Sequence, residues 1–284
     1  VQSFANGSIS FPAGVQMVGA PIIPTDLHPA TLFGINKTEL KYARYNTTTG
    51  TYDLYTADPL PTNLRMKLGA GFFVDLPHAV QVTPSGSSAP SGNFDVVLKK
   101  GWQQLGNPFF GALDFSASTV TVNGNTMDLV SAETAGYLRA YCWIYNHSTG
   151  DYVLVHPQYG AVSAVPAWGG MWVYALKACT LTLHRPTGTA TGSDEAAGLL
   201  STSGDEWVVQ LVARGSRGAD TFNYCGVRTS GSGVLSPPAA VARPELSFGS
   251  GAARVATAFS ATGQAELGWD MEVRWPAGEG TVQV

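Results

Sequence analysis

Charge is scarce in this chain. Asp, Glu, Lys and Arg make up 13% of its 284 residues, about half the usual share for a globular domain. No Lys/Arg cluster interrupts the sequence and the net charge is −4, so nucleic-acid binding lacks its electrostatic footprint. No apolar run approaches the ~20 residues of a membrane-spanning helix, and no signal peptide is recognisable. The five histidines, His28, His78, His147, His156 and His184, are scattered, with no pair at helical metal spacing. His28 and His156 each precede Pro and read as loop or strand-edge residues.

Cysteine is also sparse. Cys142, Cys179 and Cys225 lack the spacing of a zinc site. Cys142 and Cys179 fall in strand-like segments, where a disulfide and buried free thiols both fit. Gly231-Ser-Gly233 is only a fragment of a nucleophile elbow, and no helix follows it. The carboxylate pairs Asp194-Glu195, Asp205-Glu206 and Asp270/Glu272 read as solvated surface, not as the two acids flanking a glycosidase cleft. Asp220 to Asn223 with Gly226 carries oxygens of the kind calcium takes, but an Asx-stabilised turn explains them better. These absences predict no catalytic residue, no metal and no cofactor.

What is present is a repeat. Tyr42-Ala-Arg-Tyr-Asn-Thr-Thr-Thr-Gly-Thr-Tyr52 matches Tyr141-Cys-Trp-Ile-Tyr-Asn-His-Ser-Thr-Gly-Asp-Tyr152. Each is a strand, an Asn/Gly turn and a second strand, which is a hairpin signature. The flanks match too: Val15-Gln-Met-Val-Gly-Ala-Pro21 with Trp102-Gln-Gln-Leu-Gly-Asn-Pro108, and Gly71-Phe-Phe-Val74 with Gly170-Met-Trp-Val173. The spacing between copies is wider at the hairpin than at the first motif, which puts an insertion around Val120–Tyr137. Inside it, Thr119–Val122 reads as a strand, Asn123-Gly124 as a turn and Met127–Ala135 as a short helix.

Two Gly/Ser/Thr/Pro-rich stretches, Ser85–Gly92 and Pro186–Ser193, have linker composition. They divide the chain into β-repeat one (1–86), β-repeat two (92–186) and a C-terminal β-sandwich (194–284). In the last, Trp207, Val209 and Leu211 lie on one face of a strong strand. Phe222–Val227, Glu245–Phe248, Ala253–Phe259 and Trp269–Trp275 follow at the regular spacing of a small antiparallel sandwich. The fold class is all-β: tandem antiparallel β-sandwich or β-barrel-like repeats followed by an Ig-like β-sandwich.

Strand alternation places Tyr141, Trp143 and Tyr145 on one face. Such a face either packs between sheets, the preferred reading, or stacks sugar rings through Tyr45, Tyr52, Tyr145 and Tyr152. Trp102, Trp168 and Trp172 read as core. Asn6, Asn36, Asn46 and Asn146 head sequons for N-linked glycan, and Asn46 and Asn146 share one turn position. The start at Val1 reads as a processed polypeptide whose ends are strands docked in a sheet, its own or a neighbour's. Phe4, Ile9 and Phe11, with Val282 and Val284, are the subunit-contact residues this implies.

The run from Trp102 to Pro108, Trp143-Ile-Tyr145 to Tyr152, Trp168-Gly-Gly-Met-Trp-Val173 and Cys179-Thr-Leu181 resembles a tandem aromatic/Gly β-repeat of secreted, multidomain bacterial surface proteins. Trp207-Val-Val-Gln-Leu211, Asp220-Thr-Phe-Asn223, Pro237-Pro238 and Trp269-Asp-Met-Glu-Val273 are similar to the β-sandwich module that often follows it. Repeat one departs from the pattern, with Val15 in place of Trp. The resemblance implies export and β architecture and carries over no activity. The expected function is that of a secreted or cell-surface, non-enzymatic structural subunit. It would form a homo-oligomer or filament by β-strand addition, at a sheet edge that offers main-chain bonds. The alternative is a glycan-binding accessory module whose partner is a polysaccharide.

Overall fold

The computed structural model describes residues 8–88, 91–156, 162, 164–186, 204–216, 218–229, 233–239, 244–249, 254–261 and 267–275. Phe4, Asn6, Val282 and Val284 lie outside the described residues. The fold is all-β with several antiparallel sheets.

From the N-terminus run β1 (Ile9–Phe11), β2 (Gly14–Gly19), β3 (Ile22–Pro24), a short helix α1 (Pro29–Phe33), β4 (Lys41–Asn46), β5 (Thr51–Leu54), β6 (Gly71–Leu76), β7 (Val80–Val82) and β8 (Gly86–Ser88). Next come β9 (Phe94–Leu98), β10 (Gly101–Gly106), β11 (Leu113–Asp114), β12 (Thr119–Val122), β13 (Asn125–Asp128), α2 (Leu129–Thr134) and β14 (Leu138–Asn146). β15 (Asp151–Val155), β16 (Ala164–Val165), β17 (Gly170–Ala175) and β18 (Cys179–Leu183) follow. The last group is β19 (Trp207–Gly215), β20 (Gly218–Val227), β21 (Glu245–Phe248), β22 (Thr257–Ser260) and β23 (Met271–Arg274).

Two four-stranded antiparallel sheets share one strand order, β2-β6-β4-β5 and β10-β17-β14-β15. Their hairpins turn identically. Gly50 and Gly150 take positive φ, 71° and 70°, and each donates its N–H to the Asn46 or Asn146 carbonyl at 2.9 Å. Each Asn carboxamide accepts the N–H two residues on, at 3.0 Å, as an Asx turn does. The insertion forms the β12–β13 hairpin and α2, joined through β12 to β18 and β9. The expected helix starts only at Leu129. Asp128 caps it, its carboxylate accepting the Ser131 N–H at 2.7 Å, which satisfies an otherwise unpaired first-turn donor.

Alternation gives each sheet two apolar faces. Val18, Tyr42, Phe72 and Val74 face one core, while Leu105, Cys142, Met171 and Val173 face a second. The opposite faces meet: Met17, Ala43 and Phe73 of the first sheet share an aromatic layer with Trp143, Tyr152, Leu154 and Trp172 of the second. Where the sheets cross, Gly19 lies so close to Gly106 that a β-carbon on it would collide with the Gly106 Cα. The crossing bonds are reciprocal: Gly19 N–H donates to Trp168 O at 3.0 Å and Gly106 N–H to Gly69 O at 3.1 Å. Gly69 (φ 73°) and Trp168 (φ 63°) share the left-handed conformation. Only the tryptophan is strained by it, since glycine has no β-carbon to clash.

β1 docks the N-terminal segment in a sheet of this same chain. It pairs with β7 in register Ile9↔Val82, and Phe11 is 8% exposed against Phe33 and Trp168. Ile9 packs on the same core, so Ile9 and Phe11 serve this chain's own interior. The last group of strands stacks β19-β20-β22 on β21-β23 around Ala213, Cys225, Leu246 and Phe248. β22 runs parallel to β20, against the expected antiparallel order. The intervening β21 belongs to the other sheet, so the chain crosses over before β22 returns in the same direction.

Candidate functional site

The four tyrosines singled out as sugar-stacking residues converge, and their setting overturns that reading. Tyr45 and Tyr52 oppose each other across β4–β5, as do Tyr145 and Tyr152 across β14–β15. Their rings meet edge to face at 5.5 and 5.7 Å. Across the sheet boundary Tyr45 packs on Trp172 at 4.9 Å and Tyr145 on Phe73 at 5.6 Å. Tyr152 is 3% exposed and Trp172 is fully buried. Instead of an exposed platform, Tyr45, Tyr52, Tyr145 and Tyr152 form the joint between two sheets. Ring–ring edges of this kind contribute about 0.5–1.5 kcal/mol each beyond area burial. The same geometry agrees with the preferred reading of Tyr141, Trp143 and Tyr145, whose shared face packs inward.

The C-terminal strands close this joint. Phe222 of β20 stands on Trp143 at 4.9 Å with rings near perpendicular. The segment 234–239 lies over the joint. Trp143 Nε1 donates to Leu235 O at 3.1 Å, and Leu235 N–H donates to the Tyr141 hydroxyl at 2.8 Å. The Tyr152 and Tyr52 hydroxyls donate to Pro238 O and Ala239 O, both at 2.9 Å. Trp172 Nε1 in turn donates to the Tyr152 hydroxyl at 3.0 Å. At the margin, Asp151 accepts from Thr221 N–H at 2.8 Å and from the Thr221 hydroxyl. Proline suits such a segment: Pro238 offers no N–H, and its carbonyl takes the Tyr152 proton. Burial raises the hydroxyl pKa of Tyr52 and Tyr141, so both stay protonated donors or acceptors through the neutral range.

A second group of titratable side chains gathers at α1, away from the joint. His28 is buried and caps α1: its Nδ1 accepts Ala30 N–H at 3.1 Å, so the ring proton sits on Nε2 and faces Asp58 at 3.1 Å. Asp58 also takes Lys37 Nζ at 2.8 Å and the Tyr55 hydroxyl at 3.3 Å. The lysine bond, more than any other contact, lowers the Asp58 pKa. Asp26 receives the Thr31 hydroxyl at 2.7 Å and His28 N–H at 2.9 Å. This is a self-satisfied network beside an open groove, without an activated nucleophile. Among the described residues no group of three His, Cys, Asp or Glu gathers as a metal site.

Cys142, Cys179 and Cys225 are free, so of the two readings open for Cys142 and Cys179 the structure has the buried thiols and not the disulfide. Cys142 faces the core of the second sheet, and Cys179 sits on β18 opposite Leu98. Burial raises all three thiol pKa values. Asp220 to Asn223 lie within β20 rather than in a turn; Asp220 accepts the Leu246 N–H at 2.8 Å and so ties the two C-terminal sheets together. Of the described sequon residues, Asn36 is exposed, and Asn46 and Asn146 lie half-buried at their matched turns. No described helix is long and apolar enough to cross a membrane.

Sequence reasoning missed the 234–239 contact and the pair Trp207–Trp269, whose rings meet at 5.7 Å with Trp207 41% exposed. Pro237-Pro238 was the available signal for an extended segment, but its target lies far upstream in the chain. No family model matches the chain, and neither a curated protein nor a solved structure does.

Proposed function

We propose that this chain is a non-enzymatic structural subunit, secreted or displayed at a cell surface, that assembles with its own kind by docking extended strands onto open sheets. The observation that carries this is the covered aromatic joint. Here the chain already accepts an extended segment and a strand through tyrosine and tryptophan bonds to main-chain atoms. In this reading β-repeats one and two, 1–86 and 92–186, are copies of one unit, and 194–284 is an Ig-like module that clasps them. Matching strand orders, matched hairpin turns and reciprocal glycine contacts support the duplication. Low charge and the sequons at Asn36, Asn46 and Asn146 support an extracellular setting.

Electron microscopy of the native chain at neutral pH, over a concentration series, tests the assembly. Regular fibres or rings are the expected outcome; monodisperse single particles at every concentration would sink it.

A second reading, glycan binding, is favoured by one feature. Trp207, 41% exposed, pairs with Trp269, and exposed aromatic pairs of this kind take sugar faces. Affinity electrophoresis in polysaccharide gels should then show retardation that Trp207→Ala removes. Unretarded migration in every gel would reject this alternative.

A further inference from the structure

The two sheets present matching faces that meet in the aromatic joint, where Ala43 and Phe73 are buried, but only the second sheet's face is covered out to its edge strand. By register, Ala43 stands where Trp143 stands, Leu54 where Leu154 does and Phe73 where Trp172 does. On the second sheet this face lies beneath Phe222 and Val234, and Leu154 is 0% exposed. On the first sheet Leu54 is 60% exposed. The small Ala43 side chain there opens a groove of about 310 Å³ lined by Val15, Ala43, Leu54, Tyr55 and Phe73. That volume lies within the range of pockets that hold ligands or anchoring side chains. The Lys41–Asp75 ion pair stands at the rim, the lysine side chain 78% exposed. β5 borders the groove and is the last strand of its sheet, with no further strand partner among the described residues.

The same chain carries a matching shape. β19 is nine residues long and, among the described residues, likewise ends its sheet. Trp207 and Val209 are 41% and 44% exposed. Two positions apart on a strand, they share one face. Long, apolar, unpaired edge strands template pairing with another chain. Exposed Asp205 precedes Trp207 and is opposite in sign to Lys41, whose ammonium at the groove's rim it would share with Asp75.

We propose that this groove is the docking site for β19 of a second copy of the chain. β19 adds to the β5 edge, and Trp207 fills the space that Trp143 fills in the other sheet. This rests on the assembly reading and names the contact it uses. Main-chain bonds along the β5 edge supply affinity, and the aromatic anchor supplies register. Because groove and strand are different patches, the contact is heterologous: it propagates as a filament or closes as a ring.

Sedimentation velocity on the full chain tests this with Leu54→Lys, which blocks the groove, and Val209→Lys, which blocks the strand. Both positions are substantially exposed, and matching circular dichroism spectra verify that each variant folds. The expected result is concentration-dependent association of the native chain, weakened at least tenfold in either variant. An equimolar mixture of the two variants should form a heterodimer and stop there, because each supplies one intact half-site. Variants that associate like the native chain, or a mixture that stays monomeric, would overturn the groove assignment and leave assembly standing. A native chain monomeric at all concentrations would overturn both. A polysaccharide or foreign protein that binds the monomeric native chain but not Leu54→Lys would give the groove another occupant and likewise refute the inference.

Discussion

Tyr52 and Tyr152 hold equivalent places in two hairpins, and their hydroxyls donate to consecutive carbonyls of one segment, Ala239 O and Pro238 O, each at 2.9 Å. Removing either hydroxyl tests whether this clasp holds the C-terminal strands on the joint. Tyr52→Phe forfeits the bond to Ala239 O and the hydroxyl's contact with Tyr152, about 1–2 kcal/mol. Tyr152→Phe also strips the buried Trp172 Nε1 of its acceptor, so its cost rises to about 2–3 kcal/mol. Urea unfolding should rank the two in that order. Equal losses would mean that the tryptophan bond adds nothing.

Buried tyrosines set the alkaline limit. Burial, the largest cause in each case, raises the hydroxyl pKa of Tyr42, Tyr52 and Tyr141 above the ordinary value of 10.0. In the unfolded chain these groups lose protons near pH 10, while the folded chain retains them. Their stabilising contribution is therefore complete below about pH 10 and declines above it, by up to about 1.4 kcal/mol per pH unit for each group. Unfolding free energies measured from about pH 8 to 11 should stay flat and then fall. Tyr42→Phe should shallow that fall without cost at neutral pH. Its hydroxyl is buried with no hydrogen-bond partner among the described residues, so its removal is neutral or stabilising by about 1 kcal/mol.

Gly19 marks the closest approach of the two sheets. Gly19→Ala would force a methyl against the Gly106 backbone, a contact that no rotamer change relieves. Overpacking of this kind costs about 1–3 kcal/mol, and more where backbone meets backbone. Gly268→Ala is the control, since nothing stands within 4 Å of its added carbon. Thermal unfolding should show a large drop for the first and almost none for the second.

The three thiols give a chemical check on the core. Cys142, Cys179 and Cys225 are free, buried and raised in pKa, so little thiolate is available for attack. A thiol reagent should label none rapidly in the native chain and all three in denaturant without reductant. Only one labelled thiol in denaturant would restore the disulfide between Cys142 and Cys179.

Local pattern alone carried much of this fold. Asn and Gly at matched positions dictate the two hairpin turns, because an Asx side chain and a left-handed glycine close such a turn wherever it lies. Period-two alternation likewise placed Tyr141, Trp143 and Tyr145 on one face of β14. Alternation cannot say what covers a face, because burial depends on residues far off in the chain. Only the tertiary structure decided that segment 234–239 lies on the tyrosine joint, that Ile9 and Phe11 enter this chain's own core, and that Cys142 and Cys179 stay apart. The same holds for Ala43, an ordinary alanine in the sequence. It becomes a groove only because the matching face of the other sheet shows what a tryptophan and a covering strand do there.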